Sequence, residues 1–169
     1  TLTNKSIAAT QLTGTIAAAR LPAGSVLQVV NSQTGAVATG TTTIPLDNTI
    51  PQITEGNQFL SLAITPTSAT SKLLIQVSLF ATPSTADWVT TALFQDSTAN
   101  AIASTISYQT TGTGSAPGIF NYFMTSGTTS STTFTVRAGM NTAGTLYING
   151  APYWGGVANT SITITEIAA

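Results

Sequence analysis

Threonine and serine supply 51 of the 169 residues and interrupt every apolar run in the chain. A membrane-spanning helix needs about 18 or more consecutive apolar residues, and no segment approaches that. Threonine is also β-branched: it loses rotamer freedom on a helix and fits the half-buried pleat of a sheet. The segment Lys72–Phe80 shows the resulting pattern. Leu73, Ile75, Val77 and Leu79 alternate with Leu74, Gln76, Ser78 and Phe80, which sets the first four on a core face.

Charge is the second constraint. Charged side chains make up 5% of the sequence, against about 25% in an ordinary soluble domain. The cations are Lys5, Arg20, Lys72 and Arg137, too few for the basic footprint that nucleic-acid binding requires. The 42% hydrophobic content argues against disorder. Aromatics at 7%, scattered, do not form the girdles of a membrane barrel, so no membrane insertion is expected. The chain has no Cys and no His, which removes disulfides, thiolate metal sites and the commonest general base. No cofactor and no metal are expected.

Two parts are expected. In residues 1–23, Ile7, Leu12, Ile16 and Leu21 recur every four or five positions between small polar residues. Ala17–Ala19 favour helix, but Thr13–Thr15 and Pro22–Gly24 do not. One apolar residue per turn cannot bury itself alone, so the segment reads as an extended or partly helical stalk that becomes ordered against copies of itself. Thr10, Gln11, Thr13 and Thr15 break the apolar core a signal peptide needs, and a first residue other than Met is consistent with a trimmed chain. Residues 24–169 read as an antiparallel β-sandwich, jelly-roll-like, of about ten strands with turn signals every 8–12 residues. Strands are expected at 26–30, 36–43 (a hairpin with the first through a turn at 33–35), 59–64, 72–80, 88–95, 100–109, 118–125, 131–138, 144–149 and 160–167.

Candidate chemistry is sparse. Asp47 with Glu55, or Asp87 with Asp96, are the sequence-near carboxylate pairs, and solvated turns explain them more simply than catalysis. Asp47-Asn48-Thr49 lacks the rest of a Ca²⁺ loop and reads as an Asx-turn. Phe59, Phe80, Phe94, Phe120, Phe123 and Phe134 lie within strands and are expected in the core. Trp88, Tyr108, Tyr147, Tyr153 and Trp154 lie in or beside loops rich in Asn, Gly and Ser. Together with Asp87 they are the candidate ligand or receptor contacts, the alternative being that the tryptophans fill a core or a subunit contact.

The phrases SVLQVV (25–30), TIPQITEGNQFLSLAITPTSATSKLLIQVSLF (49–80), ALFQDSTANAIA (92–103), TTFTVRAG (132–139) and INGAPYWGGVANTSITITEIAA (148–169) resemble the C-terminal domains of bacteriophage tail-fibre and virion structural proteins. LTNKSIAATQLTGTIAAARLPAGSV resembles the shaft-to-head transition of such fibres. The resemblance covers essentially the whole chain, and its motifs are structural. It implies a homotrimer with a jelly-roll head similar in kind to C1q and tumour-necrosis-factor domains, located on the virion. The stalk leucines and isoleucines would pack against their symmetry mates. The implied role is non-enzymatic: recognition of a host-surface glycan or protein, or alternatively capsid decoration through the N-terminal stalk, which would contact other virion proteins. Glu55 and Arg137 match recurrent charged positions of the family and are candidates for a structural ion pair.

Overall fold

The structure, a computed structural model, describes residues 20–112, 114–150 and 157–169. It is an all-β antiparallel sandwich of the jelly-roll type. Among the described residues there are eleven strands: β1 (Val26–Thr34), β2 (Ala38–Gly40), β3 (Asn57–Ile64), β4 (Lys72–Leu79), β5 (Ala81–Pro83), β6 (Asp87–Gln95), β7 (Ala103–Gln109), β8 (Gly118–Thr125), β9 (Thr132–Met140), β10 (Leu146–Ile148) and β11 (Thr160–Ile167). The two main sheets have the orders β1-β11-β4-β8 and β3-β9-β6-β7, and a small third sheet has the order β2-β10-β5. Leaving the small sheet aside, successive strands alternate between the two layers except for β6 and β7, which are neighbours in one sheet.

The core forms where the alternation of each strand points inward. Leu73, Ile75, Val77 and Leu79 of β4 and Ile162 and Ile164 of β11 meet Leu60 and Ile64 of β3, Val89 and Leu93 of β6, and Phe134, Val136 and Met140 of β9. Each of the larger side chains contributes about 1.5–3 kcal/mol on burial. Two β-bulges break strict alternation, between Val26 and Gln28 in β1 and between Gln58 and Leu60 in β3. A bulge places two successive residues on one side. Phe59 and Leu60 thus both contact the core.

The hairpin expected between the first two strands is not formed. β1 runs on through Gln33 and Thr34 and pairs with β11, while the short β2 pairs with β10. A jelly roll joins its outermost strands to distant partners, which local turn signals cannot report. Phe123, expected in the core, is 57% exposed. The reason is period two: Phe120, Tyr122 and Met124 of β8 take the inward positions, so Ile119, Asn121 and Phe123 face out.

The outer faces of the two sheets are treated differently. Residues 41–56 cross the outside of β9 and β6. Ile44 is fully buried there, its N–H donates to Met140 O at 3.0 Å, and Ala92 and Phe94 are fully buried on the side of β6 opposite the core residue Leu93. Close approach requires glycine at Gly139, where an added Cβ would sit 2.7 Å from Ile44 N and 2.7 Å from Thr42 O. Backbone atoms cannot swing aside as a side-chain tip can. Gly139→Ala is expected to cost about 1–3 kcal/mol through overpacking, a fall of about 3–10 °C in Tm for a domain of this size. A thermal melt within 1 °C of wild type would show that the crossing segment yields freely.

Candidate functional site

The outer face of β1-β11-β4-β8 is bare among the described residues. The strand registers lay three rows across it: Val29–Thr165–Leu74–Phe123, Asn31–Thr163–Gln76–Asn121, and Gln33–Ser161–Ser78–Ile119. None of these twelve side chains is charged. Val29 is 57% exposed, Phe123 57% and Ile119 64%, and Val26 beside them is also exposed. A solvated sheet face usually alternates polar side chains outward. Here the two edge strands, β1 and β8, both present large apolar groups.

The second surface lies on the other sheet. Trp88 of β6 and Tyr108 of β7 are register partners, with ring centroids 4.9 Å apart and planes tilted by 45°. Trp88 is 37% exposed and Tyr108 49%. The sequence placed both in or near loops; the structure puts them on neighbouring strands and brings them together. Asp87, grouped with them, is buried. Its Oδ1 accepts the Trp88 N–H at 2.8 Å, and its Oδ2 accepts the Thr142 N–H at 2.8 Å and the Thr142 hydroxyl at 2.9 Å. Tyr147 lies apart on β10, between Thr39 of β2 and Thr82 of β5. Tyr153 and Trp154 lie outside the described residues, as do Ile7, Leu12 and Ile16. Leu21 is half-buried in a recess lined also by Leu27, Thr67, Ser68 and Ala168.

Asp87 and Asp96 stand at opposite ends of one extended run. Nine residues at ~3.3 Å each separate them by roughly 30 Å, against about 5–9.5 Å for a glycosidase pair. Asp96, with φ 51°, accepts from the Thr132 hydroxyl and the Thr133 N–H at 2.8 Å each. Asp47 forms the expected Asx-turn, accepting the Thr49 N–H at 2.7 Å and its hydroxyl at 2.6 Å, and these bonds hold its carboxyl below the ordinary range.

Glu55 and Arg137 meet in a form other than an ion pair. The guanidinium donates from Nε to Glu55 O at 2.8 Å and from Nη2 to Gly56 O at 2.7 Å, while the Glu55 carboxylate accepts the Gln52 N–H at 2.8 Å. Arg137 pins the end of the crossing segment through its carbonyls. Glu55→Gln keeps an acceptor for Gln52 and should change stability by less than about 0.5 kcal/mol. Arg137→Met keeps the stem but loses two charge-assisted bonds, at about 1.5–3 kcal/mol each before relaxation. Equal losses from the two variants in urea unfolding would restore the carboxylate as partner.

Glu166 is a residue that the sequence patterns did not single out. Strict alternation from Ile162 through Ile164 continues to Glu166, and the side chain is fully buried. Five donors converge on it. Oε2 accepts from Gln28 Nε2 at 2.6 Å. Oε1 accepts the Thr67 N–H at 2.8 Å, the Thr67 hydroxyl at 2.9 Å, the Ser68 N–H at 3.4 Å and the Ser71 hydroxyl at 2.6 Å. Burial pushes its carboxyl up, but the bonds from Ser71, Gln28 and Thr67 outweigh it and leave it below the usual carboxylate range. The cluster ties β1, β11 and the β3–β4 connection into one end of the sandwich. There Gly24 N–H donates to Ala168 O and Ala168 N–H to Ser25 O, both at 2.8 Å.

No protein-family model matches the chain, and no curated protein matches it. Among solved structures it is similar to Eiger, a TNF from S. frugiperda, with TM-score 0.48, 11% identity, and coverage of 83% of this chain and 93% of that one. It is similar also to the infectious bursal disease virus structure of the Gt strain, at TM-score 0.42 and 14% identity, covering 84% of this chain and 38% of that one. A third likeness is to the enzymatically active domain of bacteriophage CBA120 tailspike protein 4, at TM-score 0.30 and 16% identity, covering 71% of this chain and 18% of that one. At these distances the likenesses carry no functional assignment.

Proposed function

We propose that the chain is the head of a homotrimeric virion fibre, non-enzymatic, that recognises the host surface. The viral setting rests on the sequence phrases quoted above. The observation that carries self-association is the outer face of β1-β11-β4-β8, uncharged over its three central rows, with Lys72 in the end row beside Val26 and donating to the Thr125 hydroxyl at 2.7 Å. Ile119 and Phe123 stand on one edge strand and Val26 and Val29 on the other. In a closed ring each copy turns one edge toward the opposite edge of the next, so every apolar edge is covered at once. Such a heterologous contact closes as a cyclic oligomer. The three central rows bring no like charges together, and Lys72 lies in the outermost row. The stalk would enter at Pro22–Gly24, where Ser25 N–H donates to Pro22 O at 3.1 Å and Gly24 takes φ +87°.

Solution mass by light scattering over a range of concentrations tests the assembly. A constant mass of three chains of 17.2 kDa each supports the reading. A monomer at every concentration overturns it. Competition against phage adsorption then separates host recognition from the alternative role. A head that blocks adsorption recognises the host, whereas one that binds particles lacking it, and leaves adsorption unchanged, decorates the capsid.

A further inference from the structure

We propose that the Trp88–Tyr108 pair is a stacking platform for a neutral pyranose of a surface glycan; this rests on the reading of the head as a host-recognition module and names its ligand. The two rings lie on the β3-β9-β6-β7 sheet, on the opposite layer from the face assigned to self-association, so a trimer leaves them open.

Their setting is built in advance. The Trp88 backbone is held at both ends, its N–H by Asp87 Oδ1 and its carbonyl by the Asn141 N–H at 3.0 Å. Asp87 is in turn locked to Thr142. On the far side of Tyr108, the Gln109 amide donates to Ser115 O and anchors the following loop. Strand-borne rings with fixed backbones lose little freedom on binding.

The chemistry selects the ligand. An aromatic face carries negative quadrupole charge and attracts the C–H bonds that line one face of a pyranose. The polar tips, Trp88 Nε1 and Tyr108 Oη, hydrogen-bond to no other described residue and are free to meet ring hydroxyls. Among the described residues no cation stands free beside them. Both Asp87 oxygens are occupied, and Arg137 is committed to Glu55 and Gly56. A sulfated or carboxylated sugar finds no cation there, and a neutral one finds hydroxyl-matching groups and two ring faces.

The test is calorimetric titration of the full chain with a panel of neutral oligosaccharides terminating in glucose, galactose or N-acetylglucosamine, and with sulfated and sialylated counterparts. The expected result is saturable binding of at least one neutral saccharide, weakened tenfold or more in Trp88→Ala and Tyr108→Ala and less than threefold in Trp88→Phe. Sulfation or sialylation should not tighten it. The platform is overturned by binding of no neutral saccharide, by a preference for the anionic ones, or by equal binding in Trp88→Ala.

Adhesion of the trimer to bacterial cells separates the two levels. A trimer that adheres to no cells and blocks no adsorption removes the host-recognition reading. One that adheres undiminished after Trp88→Ala and Tyr108→Ala removes only the platform. Protease-sensitive adhesion of that kind points to a protein receptor elsewhere on the head.

Discussion

Glu166→Ala is expected to lower Tm by about 10 °C or more, the largest effect of any single substitution in the head. The carboxylate accepts five hydrogen bonds inside a closed end of the sandwich. Removing it empties the space of a fully buried side chain and takes away the acceptor of the Thr67 N–H and hydroxyl, while the Gln28 amide keeps Thr65 O and the Ser71 hydroxyl keeps Ser68 O. Hydrogen bonds to a charged group contribute about 1.5–3 kcal/mol each, and the terms do not add fully. A net loss of about 3–5 kcal/mol corresponds to that fall in Tm at about 2–4 °C per kcal/mol. Glu166→Gln keeps the shape and one acceptor oxygen but turns an NH₂ toward donors, so it should lie between alanine and wild type.

The pH dependence follows from the same bonds. Glu166 has a folded-state pKa held below its unfolded value of about 4.3. Between those values the unfolded chain binds the proton and the folded chain does not, so stability rises with pH there. The charge therefore contributes fully above about pH 4.3, and its contribution disappears as pH falls through the lower folded value. Urea unfolding of wild type and Glu166→Gln at pH 7, 4 and 3 should show a gap that narrows on acidification. A gap that stays constant to the lowest pH would mean that shape, not charge, makes the difference.

The route by which Glu166 was missed shows what a single sequence carries. β4 was legible because its two faces differ: Leu73, Ile75, Val77 and Leu79 point inward, and Gln76 and Ser78 mark the other side. In β11 the period two that sets Ile162 and Ile164 inward carries Glu166 inward too, although an acidic side chain is seldom fully buried. Its partners, Gln28, Thr67 and Ser71, lie 95 to 138 residues from it in sequence, and only the fold assembles them. The bulge in β1 that brings Leu27 and Gln28 together left no local mark either.

β8 is found at the expected residues 118–125, and only the side that Phe123 faces was not legible. Ile119, Asn121 and Phe123 form one face and Phe120, Tyr122 and Met124 the other, and both are rich in apolar groups. Alternation locates the faces of such a strand without saying which is inside. Under the proposed assembly the exposed apolar side of this edge strand is the side that a second copy covers. Trp88 and Tyr108 belong to a third kind. Twenty residues apart in sequence, they become neighbours only through the β6–β7 register, so composition could nominate them singly but not as a pair.

Placing a carboxylate on either apolar edge of the bare face is expected to break the assembly into monomers without unfolding the head. Phe123→Glu alters the β8 edge and Val29→Glu the β1 edge. Both positions are more than half exposed in the single chain, so the fold should tolerate the change within about 1 kcal/mol and keep its β-type circular dichroism. In a ring each contact joins a β8 edge to the β1 edge of the next copy, so one charge per chain spoils all of them. An unpaired carboxylate at a closed interface costs several kcal/mol, which corresponds to a rise of at least about 100-fold in dissociation constant. Mixing the two variants separates a ring from a face-to-face pair. Each then retains one sound edge, and the sound edges are complementary, so a one-to-one mixture should give a heterodimer of twice 17.2 kDa that cannot close further. Face-to-face packing predicts a wild-type dimer and no rescue on mixing, and that pair of results would exclude the ring.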